Sequence, residues 1–197
     1  GLKTVIGTPS AAPPIWLTER YPEVLSVNKS GIRAEHGGRC HYVAAHPTYR
    51  WYASRIAGEL AQRFGNSPHV IGWQIDNEYN QVSYDDETHR QFQAWLADKF
   101  GDIDNLNERW ATNYWSQTYA DFAQIPLPKR GGHPALVLEF NRFMTDVYRR
   151  FQAEQIAAIR AHAASQQWIT HNFVSWKVPG WWFPVDYHTI AADIDLA

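Results

Sequence analysis

Gly72-Trp73-Gln74-Ile75-Asp76-Asn77-Glu78-Tyr79 continues the apolar pair Val70-Ile71 and passes without a spacer into two carboxylates flanking an amide. Val70 to Ile75 reads as a short buried strand, closed by Asp76-Asn77-Glu78-Tyr79. In a parallel sheet such an ending places Asn77 and Glu78 at the carboxyl end of the strand, where barrel enzymes keep their active sites. Taken alone, the stretch also admits a plainer reading, in which Asp76 and Asn77 start a turn and Glu78 is solvated. Outward from it, Lys3–Gly7 and Trp168–Phe173 are further strand candidates, and Ile194–Ala197 is the start of a fourth. Between them, Pro47–Phe64 is a helix: Pro47 suits its first turn, and Tyr52, Ile56, Leu60 and Phe64 recur every four residues. Thr88–Phe100 carries Phe92, Trp95, Leu96 and Phe100 on one side, a shorter turn covers Ile103–Trp110, and Pro134–Ala164 is a long helix with Val137, Phe140, Met144, Val147 and Phe151 near one face. The stretch from Thr8 to Tyr42 is rich in Pro, Gly and polar residues and is expected to be a long loop. Alternating strands and helices are the signature of an α/β parallel sheet with right-handed crossovers. Open doubly wound sheets and closed (β/α)8 barrels share it. No Gly-x-Gly-x-x-Gly or Walker loop follows a strand, which argues against nucleotide-binding folds.

The 197 residues carry a formal net charge of −2, with no basic run, so a phosphate backbone has no footprint here. Ten Trp, ten Tyr and nine Phe exceed what a core of this size readily uses, and indole faces stack on the C–H faces of sugars. A single cysteine, Cys40, excludes an intrachain disulfide and any zinc site built on several thiolates. No apolar run approaches the roughly 18 residues of a membrane span. The first residues, Gly1 to Gly7, read as a strand starting in mid-fold, and the chain is expected to be an excised segment.

The motif at Glu78 is similar to the acid/base motif of the large clan of (β/α)8 glycosidases, in which Asn-Glu ends strand 4. Within that clan the chain resembles glycoside hydrolase family 42, the β-galactosidases. Six ordered segments carry the resemblance: Ile6 to Pro14, Arg39-Cys40-His41-Tyr42, Trp73 to Tyr79, Leu106-Asn107-Glu108-Arg109-Trp110, Tyr114-Trp115-Ser116-Gln117 and Thr170-His171-Asn172-Phe173. The resemblance implies that residues 1–197 form part of one catalytic (β/α)8 TIM barrel, approximately strands 3 to 6 with their helices, truncated at both ends. It implies a retaining exo-β-galactosidase acting on terminal β-D-galactosides by double displacement. Glu78 would protonate the departing glycosidic oxygen and then take a proton from water. Asn77 would bind the galactose 2-hydroxyl, and Arg39 would donate to sugar hydroxyls. Trp115 would line the sugar site, a position that can come from a neighbouring subunit. Asn172 sits at the expected barrel mouth as a weaker candidate for substrate contact. Asp76 would fix the loop geometry, His41 and His171 would be structural hydrogen-bonders, and Glu108 would lie on a helix surface. The resemblance further implies a homotrimer in the cytoplasm, with no cofactor, no membrane and no nucleic-acid partner.

Two features depart from the family pattern. The cysteines with which some members bind zinc are absent around Val43 and from Asn80 to Asp86, so no metal site is expected. The family's nucleophilic Glu lies on strand 7, and Glu87, Glu108, Glu139 and Glu154 all fall in helical or connecting segments. The 197 residues alone are therefore expected to be inactive. Rival readings are a related barrel glycosidase acting on α-L-arabinosides, β-glucosides or β-mannosides, and a non-catalytic carbohydrate-binding module stacking sugars on Trp115, Trp181 and Trp182.

Overall fold

The computed structural model describes residues 1–130, 132–174 and 184–197. Three strands, β1 (Thr4–Gly7), β2 (Val70–Gln74) and β3 (Trp168–Thr170), form a parallel sheet in the order β1-β2-β3. Gly7 pairs with Gln74, and Gln74 in turn with Thr170. The expected start of a fourth strand is seen as a parallel bridge between Thr170 and Leu196, reinforced by the Thr170 hydroxyl donating to the Leu196 carbonyl at 2.8 Å. The ladders of β2 and β3 stop at Gln74 and Thr170, so Asp76, Asn77, Glu78, His171 and Asn172 leave the sheet together at its carboxyl end.

Among the described residues, six α-helices accompany the sheet: α1 (Ile15–Arg20), α2 (Pro47–Phe64), α3 (Asp86–Phe100), α4 (Ile103–Trp110), α5 (Pro134–Arg160) and α6 (Tyr187–Ala191). Helix α1 corrects the expectation of an unbroken loop from Thr8 to Tyr42. The prolines 13 and 14 do forbid helix at their own positions, but Pro14 ends in extended backbone and serves as the N-cap residue. Helix α3 begins two residues earlier than its apolar spacing suggests, because the Asp85 carboxylate caps it by accepting from the Thr88 N–H at 3.0 Å. Helix α5 stops at Arg160, short of Ala164, because the N–H of Ala164 is taken by the Gly65 carbonyl at 3.0 Å.

The apolar stripe chosen from the sequence of α2 is not its most buried line. Tyr49, Ala53, Ala57 and Ala61 are buried, whereas Ile56 and Phe64 are 39% and 37% exposed. The deep face is the one made of small residues, since these let α2 approach α5 closely; a Cβ built on Gly58 would sit 3.6 Å from that of Ala158. Tyr52, on the larger stripe, meets the ring of Trp16 on α1 edge-on at 5.2 Å. Beneath α2 and α5, Trp73 is wholly buried with Ile75, Ile159 and Ile169. Its indole N–H donates to Gln167 Oε1 at 2.8 Å, and the Gln167 amide donates to the carbonyls of Gly65 and Val70 at 2.9 and 3.1 Å. One buried glutamine thus ties β2 to the end of α2. A second, larger cluster joins α3, α4 and α5 through Phe92, Leu96, Leu106, Phe140, Phe143 and Phe151. Among the described residues no helix is long and apolar enough to cross a membrane.

Gly65 is required by close approach rather than by its dihedral angles. A Cβ there would lie 2.5 Å from the carbonyl oxygens of Ala61 and His162, both main-chain atoms. Gly65→Ala is predicted to lower stability by roughly 1–3 kcal/mol, read as a shift of the denaturant midpoint. Gly58→Ala, which meets only ordinary contacts, is predicted to be neutral or to stabilise by up to about 1 kcal/mol through helix propensity.

Candidate active site

The chain turns sharply where β2 ends. Asp76 and Glu78 have φ of 51° and 46°, and Cys40 in the facing loop has φ of 54°. Non-glycine residues rarely adopt these left-handed angles, and three together persist only if surrounding bonds hold them. Asp76 supplies most of those bonds. Its side chain is 2% exposed, and Oδ1 accepts from the Tyr42 hydroxyl at 2.6 Å and from the Asn77 N–H at 2.7 Å. Its own N–H donates to Thr8 Oγ1 at 2.9 Å. Oδ2 makes no hydrogen bond among the described residues. Burial pushes the carboxyl up to about 6, against the opposing pull of the Tyr42 and Ser10 hydroxyls and the Asn77 N–H. The assignment of Asp76 to loop geometry agrees with this placement.

With Asp76 fixed, Asn77 and Glu78 project outward. Glu78 Oε2 pairs with Arg39 Nη2 at 3.1 Å; the two side chains are 32% and 66% exposed. An ion pair this open contributes little to stability and can be replaced by a polar ligand. Asn77 Oδ1 accepts from Asn172 Nδ2 at 2.7 Å, and Asn172 Oδ1 accepts from Gln74 Nε2 at 3.1 Å. The Cys40 thiol donates to the Asn77 carbonyl at 3.3 Å. Behind them, His171 is held in one tautomer: Nδ1–H donates to the Ile75 carbonyl at 2.7 Å and Nε2 accepts from the Tyr79 N–H at 3.4 Å. Burial lowers His171 to about 4, and its ring stacks on Tyr79 at 3.9 Å.

The structure therefore brings Glu78, Asn77, Arg39 and Asn172 into one cluster. Trp115 does not join it. Trp115 is 78% exposed, has φ of 54°, and its ring stacks on that of Tyr114 at 4.9 Å. Glu108 is exposed on α4, while Glu87, Glu139 and Glu154 lie in helices and pair with Arg90, with Lys99 and Arg142, and with Arg50. His41 departs from expectation: neither ring nitrogen makes a hydrogen bond among the described residues, the ring lies beside Gly38, and burial lowers its pKa. Trp181 and Trp182 lie outside the described residues. Among the described residues, no group of three or more His, Cys, Asp or Glu could hold a metal ion. Sequence reasoning missed the hydrogen bond from Gln74 to Asn172 and the clamp from Tyr42 and Thr8. Strand alternation does place Gln74 on the same side as Asp76, but its partner Asn172 is 98 residues away.

The raised pKa of Asp76 gives a signed prediction. A carboxyl that binds its proton more tightly when folded favours the folded state below the unfolded value of 3.8, and this contribution is lost as pH rises through about 6. Asp76→Asn keeps an acceptor for Tyr42 without the charge. Its stability relative to the parent is predicted to improve by roughly 2 kcal/mol between pH 4 and pH 7, measured by denaturant unfolding of both proteins at each pH.

Comparison with known proteins identifies the family. A family model described as β-galactosidase, of glycoside hydrolase family 42, matches residues 1–197. The chain is 41% identical to a β-galactosidase of Thermus thermophilus, covering all of this chain and 31% of that protein. It is 36% identical to the β-galactosidase BgaH of Haloferax lucentense, covering 30% of it. Among solved structures, it superposes on the β-galactosidase of a psychrophilic Marinomonas with a TM-score of 0.91 and 34% identity, covering 99% of this chain and 30% of that one. The cold-adapted β-galactosidase of Rahnella gives a TM-score of 0.91 and 35% identity, with 99% and 28% covered. The chain thus spans about a third of the length of these relatives, and its parallel sheet and helices are consecutive β/α units of their (β/α)8 barrel. On a family match across its whole length, the chain belongs to glycoside hydrolase family 42, the β-galactosidase family.

Proposed function

We propose that these residues are the acid/base-bearing part of a longer retaining exo-β-galactosidase, a catalytic barrel domain that continues beyond both ends of this chain. The observation that carries this reading is the pairing of Glu78 with Arg39 beside Asn77 at the carboxyl end of the sheet. A terminal β-D-galactoside would place its glycosidic oxygen at Glu78 and its hydroxyls against Arg39 and Asn77. A glutamate supplied from outside this chain, roughly 5–5.5 Å from Glu78, attacks the anomeric carbon while Glu78 gives its proton to the leaving oxygen. The resulting galactosyl ester is opened by water, whose proton passes to Glu78 as galactose leaves. Each half-reaction returns what the other used, so no redox partner is needed.

Exposure of Glu78 and Arg39 supports a ligand-facing role for both. Tyr114 and Trp115 form an outward aromatic pair at 62% and 78% exposure, a surface suited to a sugar or to a second subunit. A homotrimer and a cytoplasmic setting rest on the family resemblance.

In the full-length enzyme, Glu78→Gln is predicted to lower kcat/KM on alkyl β-galactosides by about 10²–10⁴-fold. The loss should be smaller on nitrophenyl β-galactoside, whose leaving group needs little protonation, and added azide should restore turnover as β-galactosyl azide. Equal loss on both substrates with no azide product would remove Glu78 from the acid/base role. A panel of nitrophenyl glycosides separates β-galactosidase from α-L-arabinosidase, β-glucosidase and β-mannosidase activity.

A further inference from the structure

We infer that Gln74 and Asn172 are positioning residues that fix the direction of the Asn77 amide, so that Asn77 offers N–H and not C=O to the sugar. The inference rests on the glycosidase reading above and deepens it.

An amide side chain can face a ligand with a donor or an acceptor, and its immediate neighbours decide which. Here the decision is made three residues before Asn77. The Gln74 amide lies against the main-chain carbonyl of Asp76 at 3.3 Å and the end of Asn172 at 3.1 Å. A main-chain carbonyl can only accept, so Gln74 turns its NH2 to that side. Asn172 must then meet Gln74 with its oxygen, which leaves its own NH2 to donate to Asn77 Oδ1 at 2.7 Å. The oxygen of Asn77 is thereby occupied and its nitrogen faces away. The acceptor that nitrogen meets among the described residues, Cys40 Sγ, is 3.8 Å distant and weak; the Cys40 thiol hydrogen is directed to the Asn77 carbonyl. The Asn77 N–H is therefore free to bind a stronger acceptor. A hydroxyl that accepts from Asn77 keeps its own proton and can donate it to a carboxylate, the arrangement in which bonds to a sugar hydroxyl strengthen toward the transition state. The three amides run in one direction, Gln74 to Asn172 to Asn77, and each bond reinforces the next.

The test uses the full-length enzyme and two aryl β-galactosides that share a leaving group, one with the 2-hydroxyl and one lacking it. The readout is the ratio of their kcat/KM values. This ratio cancels changes in Glu78 or in the amount of folded enzyme, which act on both substrates alike. In Asn172→Asp the carboxylate accepts from both sides, so the Asn77 amide turns over and presents its oxygen. The preference for the 2-hydroxyl substrate is expected to fall roughly 10-fold. Gln74→Glu acts one residue further away and should move the ratio in the same direction; it reads the same quantity if Asn172→Asp does not fold. An unchanged ratio in both variants, or equal loss on both substrates, overturns the inference and leaves the glycosidase reading standing. A parent enzyme that cleaves neither substrate overturns that reading, and the inference with it.

Discussion

A carboxylate buried at the end of a β-strand holds this site together. Asp76 is removed from water, yet it accepts from the Tyr42 hydroxyl and from the N–H of the next residue, while Thr8 takes its own N–H. Those three bonds reach into the loop after β1 and the turn after β2, so they fix the two segments that carry Arg39 and Glu78 relative to each other. Burial without this partnering would be costly, and the left-handed backbone at residues 76 and 78 would have no reason to persist. The strain at the turn and the burial of the acid are thus two sides of one arrangement.

What this arrangement produces is a graded set of environments over three successive residues. Asp76 is buried and fixed; Asn77 is half-buried with one end committed to Asn172; Glu78 is partly open and paired with the exposed guanidinium of Arg39. The proposed chemistry, which moves a proton while holding a sugar still, would use that gradient, with Asn77 oriented to bind and Glu78 reachable to react. His171, held as a neutral ring between the Ile75 carbonyl and the Tyr79 N–H, closes the inner side of the turn without adding charge next to Asn77 and Glu78.

Much of this was legible from the chain. The apolar run ending in Asp-Asn-Glu located β2 and the turn that follows it, and the alternation of strands and helices identified the parallel sheet. Helices α2 and α4 came out with their observed limits. The failures were of specific kinds. Helix α1 was hidden because the prolines before it look like breakers, although a proline in extended backbone can cap a helix. The deep face of α2 was misplaced because large side chains were weighted above alanines, whereas close helix packing favours the small ones. His41 has no hydrogen-bond partner among the described residues where one was expected.

By itself the sequence determined the residue types at the end of β2, their order and the family to which they belong, because those features are local and run along the chain. Tertiary structure alone decided the direction of the Asn77 amide, the partner of Glu78 and the burial of Asp76. Each of these depends on atoms brought together across a sheet from residues 34 to 98 positions apart, such as Tyr42 with Asp76 and Gln74 with Asn172. A chain's periodicity fixes which face a residue occupies. Only the packing of other segments against that face fixes whether a polar atom there meets a donor, an acceptor or water.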